Sequence, residues 1–235
     1  MPLTTTFPVI GVILLLKQGI AKCIAIPPHF MLTKINRQTS INQYPVFPLR
    51  TYNAKKEEDD FSYPKTFSSY VLTLPSKSWK GHIKLLGAAV ADLTKQFGAD
   101  TLIFLGDSDI PWLYGSHDFK QAKEALQYLF DKKIGKKFNG AIQVELAALP
   151  VFIQHLTWLV RTNAISSYVH FIDPQQNILG TICQYGNLHL YALNKKVTPR
   201  LKELISRSIF QYVKDEICVE KFSVAGVIKG RQMTI

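Results

Sequence analysis

The feature that most constrains this chain is a run of three strand-like segments joined by turns too short for anything but antiparallel pairing. Tyr168–Ile172, Ile178–Gln184 and Asn187–Leu193 are rich in β-branched and aromatic residues. Asp173-Pro174-Gln175-Gln176-Asn177 separates the first two, and Tyr185-Gly186 the last two. Both are turn-forming strings. Parallel neighbours need a crossover of about a dozen residues or more, so these three segments are expected to form a meander.

Upstream, helices and strands alternate. Phe67–Leu74 reads as a strand. Ser78 is placed to cap a helix, in which Trp79, Ile83, Leu86, Val90, Leu93 and Phe97 recur at steps of three and four, and Gly98 ends it. Thr101–Leu105 is a short apolar run of strand length. Asp118 and Gln121 have the spacing of a capping box, with Phe119, Ala122, Leu126 and Leu129 as the buried face of a second helix. Gly140–Glu145 is a further strand, and Pro150 suits the first turn of a third helix running to about Asn163. That helix is apolar on most sides and belongs at the centre of the fold. Thr198-Pro199 opens a fourth helix, expected to reach about Ile217, before a last strand at Lys221–Ile228. The pattern predicts an α+β fold: a mixed sheet with a C-terminal antiparallel meander, packed against about four helices.

Residues 1–62 read as a partly irregular N-terminal extension, because Pro27, Pro28, Pro45 and Pro48 interrupt polar stretches, and 63–235 as a single α+β domain. The apolar run Val9–Leu16 has no Lys or Arg before it and Lys17 directly after it, the reverse of a secretory signal. Lys17, Gln18 and Lys22 break the stretch before the roughly 20 apolar residues of a membrane span. A short helix, or a leader ahead of Met31, is expected there, and no transmembrane segment.

The balance of 28 Lys and Arg against 17 Asp and Glu gives a net charge of +11. Such a charge attracts acidic proteins, nucleic acid or anionic surfaces and says nothing of fold. It clusters at Lys132, Lys133, Lys136 and Lys137, and again at Lys195, Lys196, Arg200 and Lys202. The three cysteines, Cys23, Cys183 and Cys218, are odd in number and widely spaced. That pattern argues against a disulfide framework or a CxxC metal site and suits a reducing, cytoplasmic setting.

Two places carry candidate chemistry. With Ile172 opposite Ile178 and Gln184 opposite Asn187, one face of the meander presents Tyr168, His170, Gln184, Asn187, His189 and Tyr191, with Gly180 as an open floor between rings. That is a candidate ligand surface of rings, amides and imidazoles. In this register Cys183 and His189 face opposite sides, and His170 and His189 stand about 10 Å or more apart, too far to share one metal. The second place is Gly106-Asp107-Ser108-Asp109, just past a strand. Asp107 and Asp109, with Glu145 as a further carboxylate, are candidate ligands for Mg²⁺ or Mn²⁺, as in the DxD of sugar-nucleotide transferases. Gly106-Asp107-Ser108 also resembles the nucleophile block of SGNH hydrolases, but no Asp after Ser108 has a His three positions on.

No complete catalytic constellation is visible, and no motif names a cofactor. The expected function is therefore that of an intracellular binding or interaction protein, its partner an acidic protein, a nucleic acid or a small ligand. The alternatives are a metal-dependent transferase working through the Asp-Ser-Asp turn, and a nucleic-acid-binding protein using the lysine clusters and the aromatic face.

Overall fold

The Ser78 hydroxyl accepts the Gly81 amide, and Gly98 takes the left-handed conformation (φ 94°) that closes the helix. Between them runs Trp79–Phe97, with Ile83, Leu86, Val90, Leu93 and Phe97 buried. A computed structural model describes residues 31–165 and 168–222. In chain order its elements are β1 (Leu32–Ile35), α1 (Arg37–Gln43), β2 (Leu49–Asn53), β3 (Glu58–Ser62), β4 (Ser68–Thr73), α2 (Trp79–Phe97), β5 (Thr101–Gly106), α3 (Lys120–Asp131), β6 (Ala141–Glu145), α4 (Leu149–Arg161), β7 (Val169–Ile172), β8 (Ile178–Ile182), β9 (Leu188–Ala192), α5 (Thr198–Arg207) and β10 (Gln211–Tyr212). The expected segment Val9–Leu16 and most of the expected strand Lys221–Ile228 lie outside the described residues. Among those described, no helix is long and apolar enough to cross a membrane.

The chain is α+β. An eight-stranded sheet has the order β1-β6-β5-β7-β8-β9-β4-β10, and β2 and β3 form a separate hairpin. Every strand pairing among the described residues is antiparallel. The mixed sheet expected from the β-α-β alternation is replaced by split crossovers: α4 joins β6 to β7, which run the same way but have β5 inserted between them.

One face of the sheet carries Leu72, Leu102, Phe104, Ile142, Val144, Phe171, Ile178, Ile182, Leu188 and Leu190, packed in one cluster with residues of α2, α3, α4 and α5. α4 lies at its centre with Phe152, Ile153, Leu156 and Leu159 buried. It approaches α2 so closely that a Cβ on Gly87 would stand 2.3 Å from the Pro150 carbonyl oxygen. The opposite face buries Ile103, Leu105, Ala141, Ile172 and Leu179 against Tyr44 and Phe47, which follow α1. Residues 32–62, expected as an extension, thus supply an edge strand paired with β6, a helix whose Ile41 packs on this second cluster, and the β2–β3 hairpin.

Two helix boundaries differ from expectation. α3 starts at Lys120 with no side-chain cap, because the His117 ring accepts the Phe119 amide and Asp118 turns out to Lys123. α5 stops at Arg207, because Ser208 is extended and its hydroxyl accepts the Phe210 amide, turning the chain into β10.

The register of the meander also differs. Ile172 stands opposite Leu179, not Ile178, and Ile182 opposite Leu188. Asp173 sets this register, since its carboxylate accepts the amides of Asn177 (2.7 Å) and Ile178 (2.8 Å). A slip of one residue sends every side chain of β8 to the other face. Gly180 is therefore no floor between His170 and Tyr191. It lies under Phe171, whose ring would be 2.1 Å from an added Cβ. Phe171 is 2% exposed and cannot swing away, so Gly180→Ala should cost about 1–3 kcal/mol by overpacking. A urea midpoint equal to the parent's would show that residue 180 faces the other way.

Candidate functional site

The corrected register lines up one polar row across the second face. Leu105 pairs with His170, His170 with Thr181, Thr181 with His189, and His189 with Val71. Cys183 continues the β8 side of this face, with its amide donating to the Asn187 carbonyl. Cys183 and His189 therefore share a face, contrary to the sequence-derived register. His170 and His189 remain two strands apart, about 10 Å by strand spacing.

A segment with no strand partner of its own brings the third member. After β10, Val213 donates to the Val71 carbonyl, and a 3-10 turn at Lys214–Glu216 follows. Further on, Glu220 pairs with Arg161 at 2.9 Å, Lys221 donates to the Thr73 hydroxyl, and the Phe222 ring lies against Trp79 and His82. Arg161 is itself stacked over the Trp79 ring at 4.0 Å. His82 holds the β8–β9 turn by its bond to the Gly186 carbonyl. Between these anchors Cys218 is pressed onto the sheet. Its Sγ is 3.3 Å from His189 Nε2, and the Cys183 thiol donates to it across 3.8 Å. Both thiols are free; Cys183 is buried and Cys218 half-buried.

The electrostatics of the pair are asymmetric. The Cys183 thiol, then the His189 ring and the Asn187 amide, donate to Cys218 and hold its thiol well below the usual range. The same bond to Cys218, together with burial, pushes Cys183 well above it. His189 Nδ1 is buried with no hydrogen-bond partner among the described residues. A protonated ring would bury an unanswered N–H there, so the arrangement fits a neutral imidazole with its proton on Nε2, donating to a Cys218 thiolate. Cys183 Sγ, Cys218 Sγ and a ring nitrogen of His189 all lie within 4.8 Å of one another.

The other expected site residues are placed as follows. His170 is fully enclosed, with burial pulling its imidazole down to about 4. Gln184 and Asn187 are buried, Asn187 beside Cys218, while Gln184 accepts Arg161 through its backbone carbonyl. Tyr168 and Tyr191 are half-buried, Tyr168 under the Arg50 guanidinium at 5.8 Å. Asp107 is buried, and its carboxylate meets Arg50 at 3.1 Å and accepts the Tyr168 amide at 3.0 Å. Asp109 is exposed, near Arg37 and accepting from Asn139. Glu145 stands opposite Thr101, at the far end of β5 from Asp107. That is about 20 Å at strand rise, so the three carboxylates do not converge. Lys133, Lys136 and Lys137 are exposed on the loop after α3, and Lys132 folds over the Tyr128 ring. Cys218 falls between the helix expected to reach about Ile217 and the strand expected from Lys221, where no local pattern places it against the sheet. The signal that was available is the Cys183–His189 pair on one hairpin. Comparison with protein-family models, with curated proteins and with solved structures finds no match for this chain.

Two measurements follow. Asp107→Asn breaks a buried ion pair and should cost on the order of 3 kcal/mol, while millimolar Mg²⁺ should leave the parent's thermal midpoint unchanged. A Mg²⁺-dependent rise lost in Asp107→Asn would restore the acidic turn as a metal site. For His170, the unfolded ring titrates near 6.5 and the folded one near 4. Between those values only the unfolded state binds the proton, so stability falls as pH drops from 6.5 to 4, by roughly 3 kcal/mol in all. A His170→Asn variant should show a flatter stability profile across that window.

Proposed function

We propose that the protein is a redox-active dithiol protein that reduces a disulfide substrate through Cys218, with Cys183 as the resolving thiol. One observation carries this reading: a half-buried sulfur, 3.3 Å from an imidazole nitrogen, has a buried second sulfur 3.8 Å behind it. The exposed member of such a pair is the one a substrate reaches, and the enclosed member completes the exchange.

The chemistry balances without a further reactant. The Cys218 thiolate attacks one sulfur of the substrate disulfide, forming a mixed disulfide and releasing the other half as a thiolate. The Cys183 sulfur then attacks Cys218 Sγ, expelling the second half, and the proton of Cys183 goes to a departing thiolate. The substrate gains two electrons, and the two protein thiols become one disulfide. His189 donates to the Cys218 sulfur while it is a thiolate, and Asn187 does the same. A reducing compartment such as the cytoplasm would keep the pair poised.

A second reading, as a binding protein for a small polar ligand, is supported by an open cleft of about 720 Å³. Arg37, Gln38, Arg50, Tyr52, Asp59 and Asp109 are among its lining residues. The nucleic-acid reading has its lysines but lacks exposed rings beside His170 and His189, both of which are buried. The transferase reading has Asp107 engaged with Arg50.

Incubating the reduced protein with oxidised glutathione tests the dithiol reading. The parent should lose two hydrogens and gain no adduct. Cys183→Ser should trap one glutathione, mapped by peptide mass spectrometry to Cys218 and not Cys23. Cys218→Ser should form no internal disulfide. Absence of the Cys183–Cys218 cross-link in the parent would sink the proposal.

A further inference from the structure

We infer that Cys183, His189 and Cys218 also form a three-ligand site for a thiophilic divalent cation of the zinc class. Tetrahedral coordination with metal–sulfur bonds of about 2.3 Å and metal–nitrogen bonds of about 2.0–2.1 Å sets a sulfur–sulfur edge of about 3.8 Å and a sulfur–nitrogen edge of about 3.6 Å. The two thiols stand 3.8 Å apart, and Cys218 Sγ is 3.3 Å from His189 Nε2. The third edge, from Cys183 Sγ to a ring nitrogen of His189, is no longer than 4.8 Å. The sulfur–sulfur edge therefore matches that of a tetrahedral face, and small side-chain adjustments bring the other two edges to it.

The donor set selects the ion. Two sulfurs and an imidazole suit zinc and its neighbours and discriminate against Mg²⁺ and Ca²⁺, which take oxygen. Two thiolates and a neutral ring leave a divalent cation with no net charge, the state least costly to enclose at a half-buried position. Three protein ligands leave the fourth position open, and Cys218, the half-buried member, gives the site access to solvent.

The strength of the site also follows. A ring that binds metal through Nε2 carries its proton on Nδ1, and Nδ1 of His189 has no partner among the described residues. Metal-binding imidazoles ordinarily have such a partner, and its loss typically costs about 10–100-fold in affinity. The hydrophobic clusters on both faces of the sheet are built from other residues, so the fold is expected to survive loss of the ion. The site is thus an exchangeable one that a chelator empties without unfolding the chain.

The inference uses the same side chains as the dithiol reading but a different chemistry, so the two fail separately. Cobalt(II) titrated into the reduced full-length chain should produce the intense visible bands of tetrahedral cobalt together with a sulfur-to-cobalt charge-transfer band, saturating at one equivalent. Zinc should abolish both, and EDTA should remove the metal with the far-ultraviolet circular dichroism unchanged. Cys218→Ser, at a half-buried position that tolerates serine, should bind cobalt at least about tenfold more weakly. Absence of tetrahedral bands in the parent, or equal cobalt affinity in the parent and Cys218→Ser, overturns the metal site. Glutathione exchange by a parent without cobalt bands would leave the dithiol standing alone. Cobalt bands without exchange would leave the metal site alone. If both hold, bound zinc should slow the exchange.

Discussion

The carboxylate of Asp173 fixes which way β8 faces. Fully buried at the start of the β7–β8 turn, it accepts two consecutive amides, from Asn177 and Ile178. Those two bonds place Leu179 opposite Ile172. From that pairing follow Gly180 beneath Phe171, Thr181 between His170 and His189, and Cys183 on the face that His189 shares. One residue of slip would turn Cys183 toward the helices and leave Cys218, still beside His189, without its partner thiol.

The elements that announced themselves did so through local chemistry. Ser78 and Gly98 cap α2, and the caps work wherever the rest of the chain lies. The short turns of the meander forced antiparallel neighbours, and the helix at Leu149–Arg161, apolar on most sides, had to be central. The register of β8 was not legible, because Ile178, Leu179 and Ile182 are all buried, some on one face and some on the other. A strand covered on both sides carries no alternation from which to read its faces. Asp173 was visible as a turn residue, but only its reach to two amides reveals the register it imposes.

The candidate site was partly legible for the same reason. His170, Asn187 and His189 were singled out by their strands, and they do lie together on the second face with Cys183. Their environment could not be read, since what covers a sheet face depends on segments far away in sequence. Cys218 arrives through a chain of tertiary anchors: Val213 on Val71, Glu220 on Arg161, and Phe222 on Trp79. None has a local signature. Asp107 shows the converse. Its position after a strand suggests a ligand, but Arg50 of the β2–β3 hairpin, 57 residues earlier, engages it.

The segment that carries Cys218 follows every strand it touches. Its partner thiol is 35 residues upstream and its imidazole 29. During synthesis, the sheet through β9 can form while Cys183 is still a solitary thiol. The Cys183–His189–Cys218 cluster comes into being only when the chain has emerged past Phe222 and folded back across β4 and β9. An incomplete chain ending before Cys218 would carry the fold's main sheet without the Cys183–His189–Cys218 cluster.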